Sequence, residues 1–560
     1  MLFLILMATF AQAGSTLDLL RDELRHSQEA LAALPEAPHY TSLAVVDDQT
    51  VRIVAQDGAV SPASHQHSKI LDTDLRVGTP TLDSTHELRG FSGYESNRRT
   101  RVLLPLDNDQ HTAARHIIWR EIDAAYKNAS ERIVMLRANR IVKVAEEDPA
   151  PDFEPRTPVN RVEEVEEMSL DIAKWEKELQ ALAARVDAYD HVWYSRLQLT
   201  SERQVNSFVD TEGTALQHGR HHTRLTLSLQ TMASDGDEID VFRAFDVHNS
   251  NSLPDSDVLQ RWAEEAVKHL LALRNAPRGE PYTGPVILNG KAAGVFFHEV
   301  FGHRVEGHRQ KSDYEGKTFA NHVGKEILPD FINVYDDPTL SRFNDTDLNG
   351  FYSFDDEGVA AQRANLVEDG KFVGFLMGRS PIQGFENSNG HGRRSPGYAP
   401  VSRMGNTIIE SEKTVDRATL RKLLIREAKK QGLPYGYLIE DIDGGFTMTG
   451  RVTPNAFNVR ANTTRRIFVD GRPDQLVRGI DLVGTPMVAF KSIVAAGEQI
   501  DVFNGHCGAE SGYVPVSAVA PDILVSRLEF QRKEKSSDRP PLLEKPRPMD
   551  GQSSAQEVTP

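Results

Sequence analysis

The spacing of two histidines constrains the fold of this chain more than any other feature. Residues 291–310 read KAAGVFFHEVFGHRVEGHRQ, and His298 and His303 lie five residues apart in a helix-like stretch. Five residues of a regular α-helix place two side chains roughly 140° apart around the axis. Because Gly302 lowers the steric barrier to distortion, we predict a helix that carries a bulge or break between His298 and His303.

The same stretch, together with one distant residue, offers a set of metal ligands. His298 and His303 supply two imidazoles, and Cys507, the only cysteine of the 560 residues, supplies a thiolate. Zn²⁺ prefers such ligands, and three of them leave a fourth position open for water. Glu299 is placed to accept a proton from that water. The alternative is that the histidines pack in an apolar helix and that Cys507 is a buried structural thiol.

Five sequence blocks follow one another along residues 282–530. They are YTGPVIL (Tyr282–Leu288), AAGVFFHEVFGHRVEG (Ala292–Gly307), NSNGHGRRSPGYAPVSRMGNT (Asn387–Thr407), IDGGFTMTG (Ile442–Gly450) and CGAESGYVPVS (Cys507–Ser517). Together these blocks resemble the TldD/PmbA family of metallopeptidases. The N-terminal half matches that family only in general pattern.

The resemblance implies a zinc-dependent peptidase that hydrolyses peptides or unfolded protein segments. In the TldD branch, zinc is held by the residues that correspond to His298, His303 and Cys507, and Glu299 acts as general base on a zinc-bound water. The PmbA branch lacks the metal motif and serves as partner subunit. This chain keeps every metal-site position and is therefore similar to the catalytic branch. The resemblance also implies a dimer, either a homodimer or a heterodimer with a PmbA-like subunit.

Two other classes of function stay open on the sequence. The chain could be a non-catalytic peptide-binding or partner subunit of a protease complex. Alternatively, the zinc could be purely structural, which requires a fourth protein ligand. His308 and His506 are the candidates for that ligand, although His506 is expected to point away from Cys507 along an extended strand. Glu306 and His308 are either partners that orient a ligand histidine or surface residues.

Two glycine-bearing segments are candidates for binding a peptide substrate. In NSNGHGRR, residues 387–394, we expect Asn389, His391 and Arg393 to line a cleft wall, with Arg393 or Arg394 meeting acidic or carboxylate groups. The alternative is a flexible surface loop. Gly444 and Gly445 are expected to form a turn whose backbone pairs with an extended substrate.

The overall charge excludes one class of partner, and the N-terminus suggests an exported protein. The net charge of −17 opposes nucleic-acid binding, which needs a basic face. Residues 1–13, MLFLILMATFAQA, are typical of a signal peptide, which predicts export to the periplasm; otherwise the protein is cytoplasmic. We find no other apolar run long enough to span a membrane.

Hydrophobic periodicity predicts an α+β fold in two domains. Residues 14–280 are expected to form an N-terminal domain of helices and antiparallel strands. Residues 281–532 are expected to form a mostly-β metallopeptidase domain around a central metal-binding helix. Residues 533–560 are expected to be a disordered tail, because they are charged and proline-rich. The segments with helical periodicity are 15–34, 112–141, 168–189, 255–276 and 414–431.

The N-terminal strands are expected to be joined by short turns. Alternating apolar and polar residues in 40–55 predict two paired strands with a turn at Asp47 and Asp48. The same alternation in residues 192–247 predicts antiparallel strands with turns at Gly213 and Gly219. His218, His221 and His222 then become solvated residues near a hairpin turn.

Overall fold

The computed structural model describes residues 15–88, 99, 101–107, 110–141, 148–312, 314–451 and 457–534. The predicted signal peptide, residues 1–13, lies outside these ranges, and so does the predicted tail apart from residues 533 and 534. None of the helices within the described ranges is long and apolar enough to cross a bilayer.

The helices begin and end close to the positions that the sequence predicts. Helix α1 is capped by Ser15, whose hydroxyl accepts a hydrogen bond from the Asp18 backbone N–H. Helix α7 is capped by Asp416 and starts three residues after the beginning of the predicted helical segment 414–431. The α-helices are α1 (Thr16–Leu31), α2 (His111–Ile141), α3 (Ile172–Asp187), α4 (Ser256–Asn275), α5 (Gly290–Val300), α6 (His308–Lys311), α7 (Arg417–Lys430) and α8 (Pro486–Lys491).

The N-terminal half is built on an eight-stranded sheet in the order β3-β2-β1-β6-β7-β5, with β4 beside β2 and β8 beside β7. Helices α1 and α2 pack against one part of this sheet, and α3 and α4 pack against another. Its strands are β1 (Pro38–Gln56), β2 (Ala59–Thr79), β3 (Leu82–Asp83), β4 (Val102–Leu104), β5 (Asn160–Val162), β6 (Tyr194–Asp210), β7 (Ala215–Met232) and β8 (Glu238–Val247).

The C-terminal half forms a twelve-stranded mixed sheet whose main path is β14-β13-β10-β17-β24-β22-β20-β19-β9. Strands β23 and β24 form a long antiparallel hairpin. The strands of this half, including two small separate pairs, are β9 (Tyr282–Leu288), β10 (Ile332–Asp336), β11 (Arg342–Phe343), β12 (Thr346–Asp347), β13 (Ala364–Glu368), β14 (Lys371–Phe372), β15 (Gly392–Arg393), β16 (Val401–Ser402), β17 (Asn406–Ser411), β18 (Thr414–Val415), β19 (Tyr435–Thr447), β20 (Phe457–Phe468), β21 (Gln475–Val477), β22 (Ile480–Gly484), β23 (Ile493–Ala509) and β24 (Gly512–Arg532).

Helix α5 is the central element of the C-terminal half. It packs against β19, β20, β23 and β24, and nearly all of its residues are buried. Apart from Lys291, His298 and Glu299, the sequence GKAAGVFFHEV consists of apolar and small residues, which suits a helix inside a core. The α+β class and the central helix that the sequence predicts are therefore both present.

Two of the expected turns are wrong. Strand β1 continues through Asp47 and Asp48, because neighbouring strands supply polar partners: His67 on β2 hydrogen-bonds Asp47 at 2.8 Å. Gly213 does lie in a turn, with φ of +104°. Gly219 instead lies inside β7, where a Cβ atom would approach the Gln204 carbonyl oxygen to 2.2 Å.

The three histidines of β7 are consequently strand residues rather than turn residues. His218 and His222 are buried. The ring of His218 lies 5.5 Å from that of Phe354, and His222 Nε2 lies 2.9 Å from Asp246 Oδ1. His221 hydrogen-bonds the Glu166 carbonyl oxygen. The expectation of solvated histidines therefore fails for two of the three.

Candidate metal centre

Helix α5 ends between the two histidines of the motif. Asn289 caps its start, and the α-helix stops at Val300. Phe301 has φ of −113°, and residues 302–304 form a 3-10 turn. The predicted break is thus confirmed. It brings the rings of His298 and His303 to a centroid distance of 5.1 Å, nearly perpendicular to each other.

Arg304 stabilises this helix end. Its guanidinium donates hydrogen bonds to the carbonyl oxygens of Glu299 at 2.8 Å and Val300 at 3.1 Å. The last carbonyl groups of a helix have no partner within the helix, so this side chain replaces the bonds that the break removes.

The three candidate ligands converge. The Nε2 atoms of His298 and His303 lie 3.2 and 3.3 Å from Cys507 Sγ. In a tetrahedral Zn²⁺ site, with Zn–S of about 2.3 Å and Zn–N of about 2.0 Å, a sulfur and a nitrogen ligand are about 3.5 Å apart. All three residues are buried, and their donor atoms lie within 4.8 Å of one another. The donor types and their spacing fit one Zn²⁺ ion.

Electrostatics favour the thiolate form of Cys507. Burial by itself opposes ionisation of the thiol, but His303, His298 and Arg403 outweigh it and hold the pKa of Cys507 well below its usual range. Burial likewise lowers the pKa of both imidazoles, but the thiolate together with Glu299 for His298, and with Glu306 for His303, outweighs it, so that the pKa of each is raised. A bound divalent cation would take the place of the protons on this cluster.

Glu306 orients His303. It is fully buried, and its Oε2 atom lies 3.2 Å from His303 Nδ1. Burial would raise the pKa of Glu306, but His303, Arg309 and Arg403 together lower it to about 2. A carboxylate on the outer nitrogen fixes the ring of a ligand histidine. The question that the sequence left open is therefore settled for Glu306, which is not a surface residue.

Neither candidate for a fourth protein ligand joins the cluster. His308 is bound to Glu510, and Arg309 ties Glu306, Glu510 and Glu315 together. His506 lies near His222, with ring centroids 6.1 Å apart, as the alternation of an extended strand predicts. Within the described part of the chain, the donor group around Cys507 contains three residues.

Glu299 is a buried residue. Among the described residues, no side chain forms a hydrogen bond or an ion pair with its carboxylate. Its side chain faces β19: a Cβ atom on Gly445 would lie 2.8 Å from Glu299 Cγ. Gly445 therefore provides space beside Glu299. Gly444 and Gly445 lie within β19 rather than in a turn, at an irregularity in its pairing with β20, so the expected turn is wrong.

The segment of Asn389, His391 and Arg393 is neither a flexible loop nor an open cleft wall. His391 is fully buried and lies 3.2 Å from Asp336 Oδ1 and 2.9 Å from Asn389 Oδ1. Arg393 is buried over the Tyr352 ring and donates to the Met404 carbonyl oxygen. Protein groups occupy the polar atoms of His391 and Arg393, and burial leaves His391 no surface for a substrate.

Sequence reasoning missed Arg403. This residue is buried between Cys507 and Glu306. An arginine inside an otherwise apolar and small-residue block, VSRMGNT, was the available signal, since arginine is rarely fully buried without a partner.

Comparison with known proteins agrees with this architecture. The family model for the PmbA/TldA metallopeptidase C-terminal domain matches residues 281–532. A protein of Archaeoglobus fulgidus named "Metalloprotease" is 30% identical over 275 residues, which cover 48% of this chain and 58% of that relative. A "Metalloprotease" of Methanothermobacter thermautotrophicus is 26% identical over 367 residues, covering 62% and 72%. The chain thus spans little more than half of the first relative.

A solved structure shares the fold over most of the chain. The crystal structure of TldE from Thermococcus kodakarensis superposes with a TM-score of 0.58 at 16% identity, and it covers 92% of this chain and 100% of its own. At this identity the likeness concerns the fold alone. The family model and the curated relatives lead to one conclusion for the C-terminal half: residues 281–532 match the metallopeptidase domain of the TldD/PmbA family.

Proposed function

We propose that this protein is a zinc-dependent peptidase that hydrolyses peptides or unfolded protein segments. The observation that carries the proposal is the convergence of His298, His303 and Cys507 beside an unpaired glutamate, Glu299. One relative, from Saccharolobus solfataricus, is named a zinc metalloprotease, which favours zinc among the metals that imidazole and thiolate can bind.

His298, His303 and Cys507 would hold the metal, and each has a defined support. Helix α5 carries His298, the 3-10 turn carries His303, and strand β23 carries Cys507. Glu306 keeps the His303 ring turned with Nε2 toward the sulfur. A bound Zn²⁺ would supply Lewis-acid polarisation of a peptide carbonyl and activation of a water molecule.

Glu299 would carry the protons of the reaction. Its carboxylate accepts a proton from the attacking water and later returns it to the leaving amine. No described side chain forms a hydrogen bond or ion pair with this carboxylate, so it is available to hydrogen-bond a water molecule or a substrate. Next to it, the backbone of Gly444 and Gly445 offers an approach for an extended peptide. The choice between a homodimer and a heterodimer with a PmbA-like subunit remains a prediction from the family resemblance.

Replacing Glu299 by glutamine tests the proposal. The variant keeps the size of the side chain but not its basicity. Hydrolysis of a mixture of unstructured peptides, followed by mass spectrometry, should therefore fall by about 10²–10⁴-fold. Zinc content, measured by elemental analysis, should stay at the wild-type level, and Glu265→Gln, at an exposed position of helix α4, should change neither quantity.

Two results would contradict the proposal. If Glu299→Gln hydrolyses peptides at the wild-type rate, Glu299 is not the general base. A zinc-loaded wild-type protein that binds peptides but cleaves none, alone or mixed with a PmbA-like subunit, would favour the peptide-binding or partner function instead.

A further inference from the structure

Arg403 is a fully buried guanidinium that connects two parts of the candidate metal centre. It follows strand β16 and has 0% exposure. One terminal nitrogen donates a hydrogen bond of 2.7 Å to the Cys507 carbonyl oxygen. On its other side, Nε forms an ion pair with Glu306 Oε1 at 3.3 Å. The hydrogen bond with Cys507 is to its backbone, and the guanidinium charge also faces the Cys507 thiolate.

The same guanidinium fastens the end of the β23–β24 hairpin. Its second terminal nitrogen donates to the Ser511 hydroxyl at 2.8 Å and to the Gly512 carbonyl oxygen at 3.2 Å. These two residues stand at the turn that joins β23 to β24. Arg403 thus contacts β23 at Cys507 and the hairpin turn beyond it.

The backbone of Arg403 is held in place by a hydrogen bond to the neighbouring segment that carries His391. Its backbone N–H donates to the His391 carbonyl oxygen at 2.9 Å, and His391 lies against Asp336. These partners hold the Arg403 side chain in one conformation. A side chain that fixes the distance between Cys507 and Glu306 must be held in this way.

We propose that Arg403 is a positioning residue of the metal centre, which sets Cys507 against His303 by holding the Cys507 backbone on one side and Glu306 on the other. The inference rests on the proposed function, because it assumes that His303 and Cys507 bind one metal ion. Glu306 passes the constraint to the His303 ring through Nδ1. The two ligands come from different elements, and Arg403 touches the supports of both.

Lysine should not replace this arginine. The guanidinium presents five donors in a planar fork, whereas an ammonium group is a single point charge with three donors. A lysine at position 403 can reach the Glu306 carboxylate or the carbonyl groups of the hairpin, but not both in the observed geometry. Arg403→Lys therefore keeps the positive charge that faces Glu306 and removes the connection.

Arg379 provides a matched control. It is also an almost fully buried arginine with several hydrogen bonds, to the Glu154 carbonyl oxygen and to Glu212. Its partners belong to the interface with the N-terminal sheet, and it touches none of the candidate ligands. Arg379→Lys thus removes a buried arginine of similar environment without loosening the metal centre.

The experiment measures the zinc dissociation constant of the full chain by competition with a chromophoric chelator. Loss of a partner that orients a metal ligand typically weakens metal binding by about 10–100-fold, and we expect this for Arg403→Lys, with Arg379→Lys unchanged. Absorption of the Co²⁺-loaded protein gives a second readout, because displacement of the Cys507 thiolate alters the sulfur-to-metal charge-transfer band.

The outcomes separate the two claims. If the wild type binds no zinc, the proposed function fails. If the wild type binds zinc and both arginine variants bind it equally well, only the positioning role of Arg403 is overturned. If Arg403→Lys does not fold, Glu306→Gln replaces it, since this change removes the counter-charge of Arg403. A wild-type zinc affinity and Co²⁺ spectrum in Glu306→Gln would then overturn the inference.

Discussion

Glu299 is placed by the backbone around it rather than by side-chain partners. Arg304 binds its carbonyl oxygen, and Gly445 leaves room for its side chain. This arrangement keeps the carboxylate next to His298 without neutralising it. A general base needs both conditions, because it must reach the reacting water and must be able to lose and regain its charge.

Gly445→Ala should therefore impair turnover more than metal binding. The new methyl group would lie 2.8 Å from Glu299 Cγ and 2.9 Å from the Asn458 carbonyl oxygen, so Glu299 must move. A displacement of about 1 Å of a catalytic group can cost about 10²-fold in rate. We expect peptide hydrolysis to fall by that order while zinc content is retained. Gly484→Ala, on β22 of the same sheet, is the control, and equal hydrolysis by both variants would refute this placement.

For single residues, the sequence predicts which side chains can bind a metal better than it predicts which groups surround a side chain in the fold. His298, His303 and Cys507 are recognisable because imidazole and thiolate are metal ligands wherever they occur. The role of Arg403 is not recognisable, because it depends on burial against a strand about one hundred residues further along the chain. His391 was misread for the same reason: a polar residue among glycines is typical of a loop until a buried carboxylate, Asp336, is placed beside it.

The break at the end of α5 is the structural element on which the centre depends. Gly302 allows it for two reasons. The chain leaves the α-helix just before this residue, and a Cβ atom there would lie 2.0 Å from the sulfur of buried Met404. The first reason is visible in the sequence, because an i to i+5 spacing cannot place two ligands on one face of a regular helix. The second depends on the tertiary fold.

Gly302→Ala should thus destabilise the protein and disturb His303. Overpacking of this kind costs about 1–3 kcal/mol in the free energy of unfolding, measured by urea denaturation, and zinc affinity should fall with it. A Cβ atom on Gly294, within α5 itself, would lie no closer than 3.1 Å to its nearest neighbour, Ala518, and alanine is the better helix former. A smaller cost for Gly302→Ala than for Gly294→Ala would contradict this account of the break.

Some residues that are typical of turns lie inside strands, because neighbouring strands pair with them. Asp47 and Asp48 are typical of a turn, yet β1 passes through them because both β2 and β6 pair with it along its length. Gly219 was misread in the same way. Sheet partners that are distant in sequence decide such positions, and a single sequence does not identify those partners.

On the scale of the whole molecule, buried ionisable groups line the junction between the two sheets. His218 on β7 packs against Phe354 from the C-terminal half. Burial, only partly offset by Glu163, lowers the pKa of His218 to about 4. His269 on α4, which hydrogen-bonds Thr463 on β20, also has its pKa lowered to about 4 by burial. Both residues are neutral in the folded protein at neutral pH.

The protein should lose stability as the pH falls from about 6.5 toward 4. In that window an unfolded histidine binds a proton and the buried one does not, so protonation favours the unfolded state. For His218 alone the loss between pH 7 and pH 5 is of order 2 kcal/mol. Urea denaturation at the two pH values should show a smaller pH dependence for His218→Leu than for the wild type. The same dependence in both would mean that His218 is protonated in the folded state.

The central claim is that two histidines and one cysteine bind one metal ion, and metal content tests it most directly. Protein purified without chelators should contain about one zinc per chain. Most of that zinc should be lost in Cys507→Ala and retained in His308→Ala, since His308 lies outside the three-residue group. A wild-type protein that contains no zinc and takes up none when zinc is added would contradict the account, as would a Cys507→Ala variant with an unchanged zinc content.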